Sequence, residues 1–542
     1  MNTKNIILAV LFSILIFSGC EDVLYEEPFP ILTNDNFYLT DVHAIMAVNG
    51  VYDLLSNRSG AYAPNKTYGM DGHLMIMHLI SDINYNNNSN AAYGFQIATA
   101  TINENEPTMT NVWALSYGLI NRANNVLLNV PDVSMDSILQ QRLIGEAKFL
   151  RAFAYFNLVR YWGDVPIHNE ETRDFNGIDL PRSPIQEVYN LIISDLEFAE
   201  NSLYYKYGAF DPELETKVYD VGDNGRATVA AAQAMLAKVY LSLGSYKRHS
   251  NVEVYDWVND VDNYNKAIEY CNNIINSRKY SLLYNFGELF LTTNKYHSEA
   301  IFEVQHDKDS EQGGIFGGWQ GGYGRFKSRP EFAALFDVKL DVTNDAVVDS
   351  LTDYRFPLSV KLSDNKDLFQ IIKFGIEGEN YDNKFSTDVN VPILRYADVL
   401  LMLAEAINEI EGPGNAYQWI NYVRYRARSS NPMANAKYPQ DVFGLTQNEF
   451  RLIVWDERKR ELSFELHSWF DLVRTGTFLE KVRATKSYIQ AKDILNPTID
   501  SESLNPTITA ENIADYHIFF PIPGRERDIN SSLTQNDGYA GN

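Results

Sequence analysis

Along this chain, apolar residues recur at helical spacing over long stretches, and polar segments rich in Asn and Gly interrupt them. Asp41 opens the first stretch, with Ile45, Val48, Val51, Tyr52 and Leu55 at helical spacing. Residues 62–110 have the opposite character, with Asn, Gly and Tyr recurring without a period, and read as a set of loops. Phe149, Phe153 and Phe156 then share one face of a helix predicted over about 139–161, which Trp162, Gly163 and Asp164 end ahead of Pro166. Val188, Leu191, Ile192 and Leu196 mark the next helix.

The clearest pair follows. Ala230, Ala231, Ala234 and Ala237 give one helix a small-residue face beside Met235, Val239, Tyr240 and Leu243, while Ala267, Ile268, Cys271, Ile274 and Ile275 stripe its partner. Small side chains let two helix axes approach closely, which is how tetratricopeptide-type hairpins pack. A further pair spans about 395–410 and 416–427, punctuated by Gly412, Pro413 and Gly414, and Thr446 with Glu449 forms a capping box at the start of the last long helix. The pattern predicts a mainly α chain, with helical hairpins over about 112–275 and 395–475 and loop-rich segments over about 62–110 and 310–327. Trp113, Trp162, Trp419, Trp455 and Trp469 fall on these helices or their ends, where packing is expected. Cys271 reads as a core thiol.

The N-terminus departs from this pattern. Lys4 precedes an apolar run from Ile6 to Phe17, too short to span a hydrocarbon core of roughly 30 Å, and Ser18, Gly19 and Cys20 follow. A lipoprotein signal peptide over 1–19 is expected, with Cys20 acylated and residues 20–40, rich in Pro, Asn and acids, as a tether into a domain over 41–542. Phe17 stands where Leu is usual three residues before such a cysteine, and an ordinary secretory signal with an incidental Cys20 is the alternative. Acyl chains contribute about 0.8 kcal/mol per buried CH₂, so the mature protein is expected to be anchored to a membrane and not to cross it. With Cys20 acylated, Cys271 is the only other cysteine and no intrachain disulfide forms.

With 542 residues, 45% hydrophobic and 13% aromatic, the chain can build one large core. A formal net charge of −25 argues against nucleic acid and mildly disfavours polyanionic ligands. No His-Glu-x-x-His, Gly-x-Ser-x-Gly or phosphate-loop spacing occurs, and His73 and His78 are five apart, so neither an enzyme nor a cofactor is expected. Asp220, Asp223 and Asn224 before Gly225, or Asp341 and Asp345, weakly suggest structural calcium; neither set fits the twelve-residue loop, and solvated loop acids are the plainer reading.

Sugar binding needs flat apolar faces for pyranose C–H groups and fixed polar groups for the hydroxyls. Two segments supply both. Residues 82–95 set Tyr85, Tyr93 and Phe95 among five Asn residues, and residues 313–326 carry Phe316, Trp319 and Tyr323 among glycines that favour an exposed loop. Trp319 is the leading platform, with Tyr323, Tyr85 and Tyr93, and Asp82, Asn84, Gln320 and Arg325 are candidate hydroxyl partners. Each aromatic has burial against neighbouring loops as its alternative, and Phe95 and Phe316 fit the core better.

Five blocks of the chain resemble the SusD/RagB family, the surface nutrient-binding lipoproteins of Bacteroidetes. They are residues 20–28 with Ala47, Asn49, Gly50, Val51 and Tyr52; residues 146–166; Asp353, Tyr354 and Arg355 with the helix 392–405 (PILRYADVLLMLAE); residues 455–476 (WDERKRELSFELHSWFDLVRTG); and the ending from Phe520 to Tyr539. Leu466 and Ser468 depart from it, standing where Gly and Arg are common, so an ion pair of that Arg with Glu457 or Glu461 is absent. The resemblance implies a single α-helical domain with four tetratricopeptide-like hairpins on one side and an irregular, loop-rich ligand side that includes the two aromatic segments. It implies a glycan ligand, a SusC-like TonB-dependent transporter as partner, usually met by the hairpins, and a place in the outer membrane. Acidic Glu21 and Asp22 after Cys20 resemble this phylum's export signal and favour the cell exterior. A peptide ligand, as in RagB-like members, and a ligand-free helical scaffold are the rival readings.

Overall fold

The computed structural model describes residues 37–56, 81–86, 95–169, 179–205, 223–249, 252–307, 326–329, 331–332, 335–336, 353–362, 369–374, 388–433, 436–485 and 512–539. Its longer helices are labelled here in chain order. Helix α1 (Asp41–Tyr52) is capped by Thr40, whose hydroxyl accepts from His43 N, and buries Ala44, Val48 and Val51. Helix α2 (Pro107–Asn129) begins inside the stretch expected to be loop, because Pro107 pre-sets the first turn and the Glu106 carboxylate accepts from Met109 N at 3.0 Å. Residues 62–110 are therefore not loop throughout.

Helix α3 (Ser137–Trp162) starts where Asp136 accepts from the Ile138 and Leu139 amides. From Leu143 onward it is buried on nearly all sides, the mark of a central helix, and it packs against α2 and against α4 (Ile185–Ser202). Helices α5 (Val229–Gly244) and α6 (Asp260–Ser277) form the predicted small-residue hairpin, with Ala230, Ala231, Ala234, Ala237 and Cys271 buried. Helices α7 (Tyr396–Glu411), α8 (Tyr417–Ser429) and α9 (Gln447–Glu461) close the array, and α7 packs on α6. At α9 both halves of the capping box are made: Thr446 N donates to Glu449 at 2.8 Å, and Glu449 N donates to the Thr446 hydroxyl at 3.4 Å. Two short helices, α10 (Ser468–Arg474) and α11 (Phe478–Ala484), follow.

Six strands among the described residues were not anticipated. Strands β1 (Asn84–Asn86), β3 (Phe326–Ser328), β5 (Phe369–Ile371) and β4 (Val360–Leu362) form an antiparallel sheet in that spatial order, and β2 (Ala300–Val304) pairs with β6 (Val391–Arg395). One continuous hydrophobic core joins helices and strands. Trp113, Trp162 and Trp469 lie inside it, with Trp419 packed at its edge. Trp162 meets Trp113 edge-on at 5.1 Å and donates to Pro521 O at 3.0 Å, while Trp469 stacks on Phe520. These contacts tie the C-terminal segment onto α3 and α10. Among the described residues no helix is long and apolar enough to cross a membrane.

The core also holds charge. Arg355, Lys373, Arg395, Arg424 and Arg426 face Asp353, Glu299, Glu457, Glu461 and Glu465, all buried, five against five. Arg395 grips Glu465 with Nε and Nη2 at 2.6 and 2.9 Å, and its Nη1 reaches Glu461 and Glu299. Burial alone raises a carboxyl's pKa, but Arg426, Arg395 and Arg355 outweigh it and hold Glu461 well below the usual range. Glu457 and Glu461 are thus ion-paired without an arginine at position 468; Ser468 instead hydrogen-bonds Ser81 at 2.9 Å. Leu466, where the resemblance expects Gly, has a φ of 67° and is 8% exposed, so it combines backbone strain with burial.

Candidate functional site

The two aromatic segments singled out from the sequence are joined at their roots. In the β1–β3 ladder Asn84 pairs with Ser328, Tyr85 with Lys327 and Asn86 with Phe326, so the start of the first segment runs antiparallel to the end of the second. Three-residue strands hold weakly on their own. Side chains reinforce them. Arg329, 4% exposed, donates from its backbone N to Ile83 O at 2.8 Å and from Nε to Ser81 O at 2.9 Å and Asn84 O at 3.1 Å. A guanidinium that bonds backbone carbonyls fixes the path of the chain at that point.

Asp82 forms an ion pair with Lys459 of α9, which fastens the first segment to the helical array. It is therefore an anchor. Asn84 is 1% exposed and faces the interior. Tyr85 lies on β1 with its backbone opposite Lys327, itself buried. Tyr93, Trp319, Gln320, Tyr323 and Arg325 lie outside the described residues, as does Cys20. The ladder and the roles of Arg329 and Lys459 were missed by sequence reasoning, and no local signal reveals them: the partners are 245 and 377 residues apart.

The weak calcium suggestion at Asp223 is answered by arginines. Arg142 reaches it at 3.0 Å and Arg226 at 2.7 Å, so its carboxylate is neutralised within the protein and is not a solvated loop acid. Burial raises its pKa, but the two guanidinium groups prevail and hold it below the ordinary value. Among the described residues no group of three or more His, Cys, Asp or Glu could hold a metal. Asp220, Asp341 and Asp345 lie outside them.

Comparison with known proteins adds the following. Residues 354–539 match the family model described as the SusD family, and residues 59–241 match the one described as starch-binding associating with outer membrane. The chain is 27% identical to SusD-like protein P25 of Formosa agariphila, over 99% of both chains. Among solved structures it is similar to a SusD-like carbohydrate-binding protein from Bacteroides fragilis, with a TM-score of 0.72, 20% identity and coverage of 92% of this chain and all of the other. It is also similar to a laminarin-binding SusD-like protein, with a TM-score of 0.65, 21% identity and coverage of 92% and 100%. Both structures share its mainly helical fold.

Proposed function

This chain belongs to the SusD/RagB family, and from that premise we propose that it captures an oligosaccharide at the cell surface and passes it to a SusC-like TonB-dependent transporter. The observation that carries the reading is the β1–β3 ladder, which pairs residues 84–86, near the start of the first aromatic segment, with residues 326–328, at the end of the second. Tyr85, Tyr93, Trp319 and Tyr323 supply the flat faces, with Trp319 the principal platform, and Gln320 and Arg325 pair the hydroxyls. Asp82 and Asn84 take a supporting role, one holding Lys459 and the other packed inside. A family model described as starch-binding and a structural relative that binds laminarin make a neutral glucan the first ligand class to try, in keeping with a net charge of −25.

In this reading Cys20 carries the lipid, residues 20–40 are the tether, and the protein faces outward from the outer membrane. Two acyl signals or more make such anchoring stable. The helical hairpins are the surface that meets the transporter, which leaves the ladder side for cargo.

A glycan array on the protein lacking residues 1–20 tests the ligand class, and calorimetry tests the residue. Trp319→Ala is expected to weaken the best glycan by about 1 to 3 kcal/mol, the size of a desolvated aromatic contact, with no change in melting temperature. Unaltered affinity rejects Trp319 as the platform, and an array that stays blank while short peptides bind replaces glycan with peptide.

A further inference from the structure

A concave site lies apart from the ladder and shares no residue with it. The end of α3, the turn before α4 and the C-terminal segment enclose a cleft of about 360 Å³. That volume is at the small end for a ligand site and suits one or two sugar rings. Beside the buried Trp162, two less buried aromatic side chains line it, and each of these two is seated on a glycine. Phe519 lies against Gly163, whose φ is +72°, with a ring atom 3.4 Å from where a Cβ would stand. Tyr516 lies across Gly538, whose φ is +86°, so closely that a Cβ there would fall 2.2 Å from its Cγ. Any other residue at position 538 would displace the ring, and at either position the backbone itself favours glycine. Further rings hold Tyr516 in place, His517 at 4.2 Å and Tyr539 at 4.9 Å, yet it remains 37% exposed.

The polar groups are as fixed as the rings. Arg182 donates from Nε to Asp164 O at 2.8 Å and from Nη2 to Asn536 Oδ1 at 2.5 Å and Trp162 O at 3.2 Å, while its Nη1 reaches Thr534 at 3.4 Å. Asp164 accepts from Ile185 N at 2.8 Å, and Asp515 and Asp537 stand on the exposed rim. Three carboxylates beside one guanidinium repel a polyanion and offer several acceptors and a donor fork to hydroxyl groups. Immobilised rings with hydroxyl partners at their edges form a site that pays little ordering entropy when a pyranose lies down on it.

We propose that this cleft is a second binding site, for one or two residues of a neutral sugar, and that it works independently of the segments at the ladder. The test uses the full-length protein and neutral gluco-, manno- and xylo-trisaccharides, with a galacturonate trimer as the acidic control, read by saturation-transfer NMR and calorimetry. One neutral trisaccharide is expected to bind in a mode that survives Trp319→Ala. Val254→Trp, which fills the cleft, should weaken that mode at least tenfold, as should Tyr516→Ala. Asp537→Asn, at an exposed position, should weaken it severalfold without moving the melting temperature, which separates lost binding from lost fold. The proposal is overturned if no saccharide binding survives Trp319→Ala, if Val254→Trp and Asp537→Asn leave the surviving mode unchanged, or if the galacturonate trimer binds the cleft as well as the neutral sugars do. Binding that survives Trp319→Ala and is lost with Val254→Trp supports the cleft whatever becomes of the ladder site.

Discussion

The charge cluster around Glu461 and the β1–β3 ladder both bury cationic side chains, and they use them differently. In the cluster, five buried cations and five buried carboxylates neutralise one another within the fold, joining α8 and α9 to the end of β6, the residue before β2 and the segment around Asp353. At the ladder, Arg329 bonds backbone carbonyls, and Lys459 takes one carboxylate at the root of a segment. A closed set of charges determines shape and leaves nothing for a ligand. A cation spent on backbone fixes where a segment starts. The difference predicts that damage to the cluster is read in stability and damage to the aromatic segments in binding.

The largest effect should come from the cluster. Glu461→Gln leaves Arg355, Arg395 and Arg426 facing a neutral amide, and a buried pair broken from one side costs about 3 to 5 kcal/mol. Urea unfolding should show that loss, while the fraction still folded binds glycan as the parent does. A small change in stability would mean that the cluster is more hydrated than its burial indicates.

Next is pH, which probes a buried imidazole just beyond β2. Burial, aided by Lys295 and opposed by Asp388, lowers the His306 imidazole to about 4. The folded state therefore keeps it neutral, and its contribution is complete above the unfolded value of roughly 6.5 and is lost as pH falls toward 4, about 3 kcal/mol in all. His467, also lowered by burial, adds to the loss in the same direction. Asp398 and Asp471 are held below the ordinary carboxylate range, against the effect of burial, chiefly by Lys238 and Arg458 and by Arg458 and Arg474 respectively, so their contribution fades only at still lower pH. Melting temperatures of His306→Phe should fall less steeply between pH 6.5 and 4 than those of the parent; parallel curves would contradict the assignment.

The smallest effect sharpens the account of Leu466. Leu466→Ala removes buried side chain and keeps the strain of a positive φ, whereas Leu466→Gly removes both. Gly is expected to be the more stable of the two variants by about 1 kcal/mol in chemical denaturation, the reverse of the order inside a helix. Ala exceeding Gly would show that the backbone relaxes freely there.

Much of the fold was legible because long helices repeat their apolar face. The small-residue stripe of α5, the buried Cys271 and the capping box at Thr446 all follow from spacing. The sheet was not legible, since most of its strands have three residues and show no alternation to count. Nor was the start of α2, where Glu106 and Pro107 close an Asn-rich stretch that reads as loop. Asp82 read as a candidate hydroxyl partner because nothing local reveals Lys459, 377 residues away. The aromatic segments stood out by composition, and the family resemblance placed both on the ligand side, but neither says which backbone groups pair. That information is in the ladder.

Hydrogen exchange followed by mass spectrometry, with and without a saturating glycan, tests the central claim directly. Binding at the surface rooted on β1 and β3 should slow exchange in residues 82–95 and 313–326 together, with no change in α7, α8 and α9. Protection confined to the helical hairpins, or found in one of the two segments without the other, would contradict it.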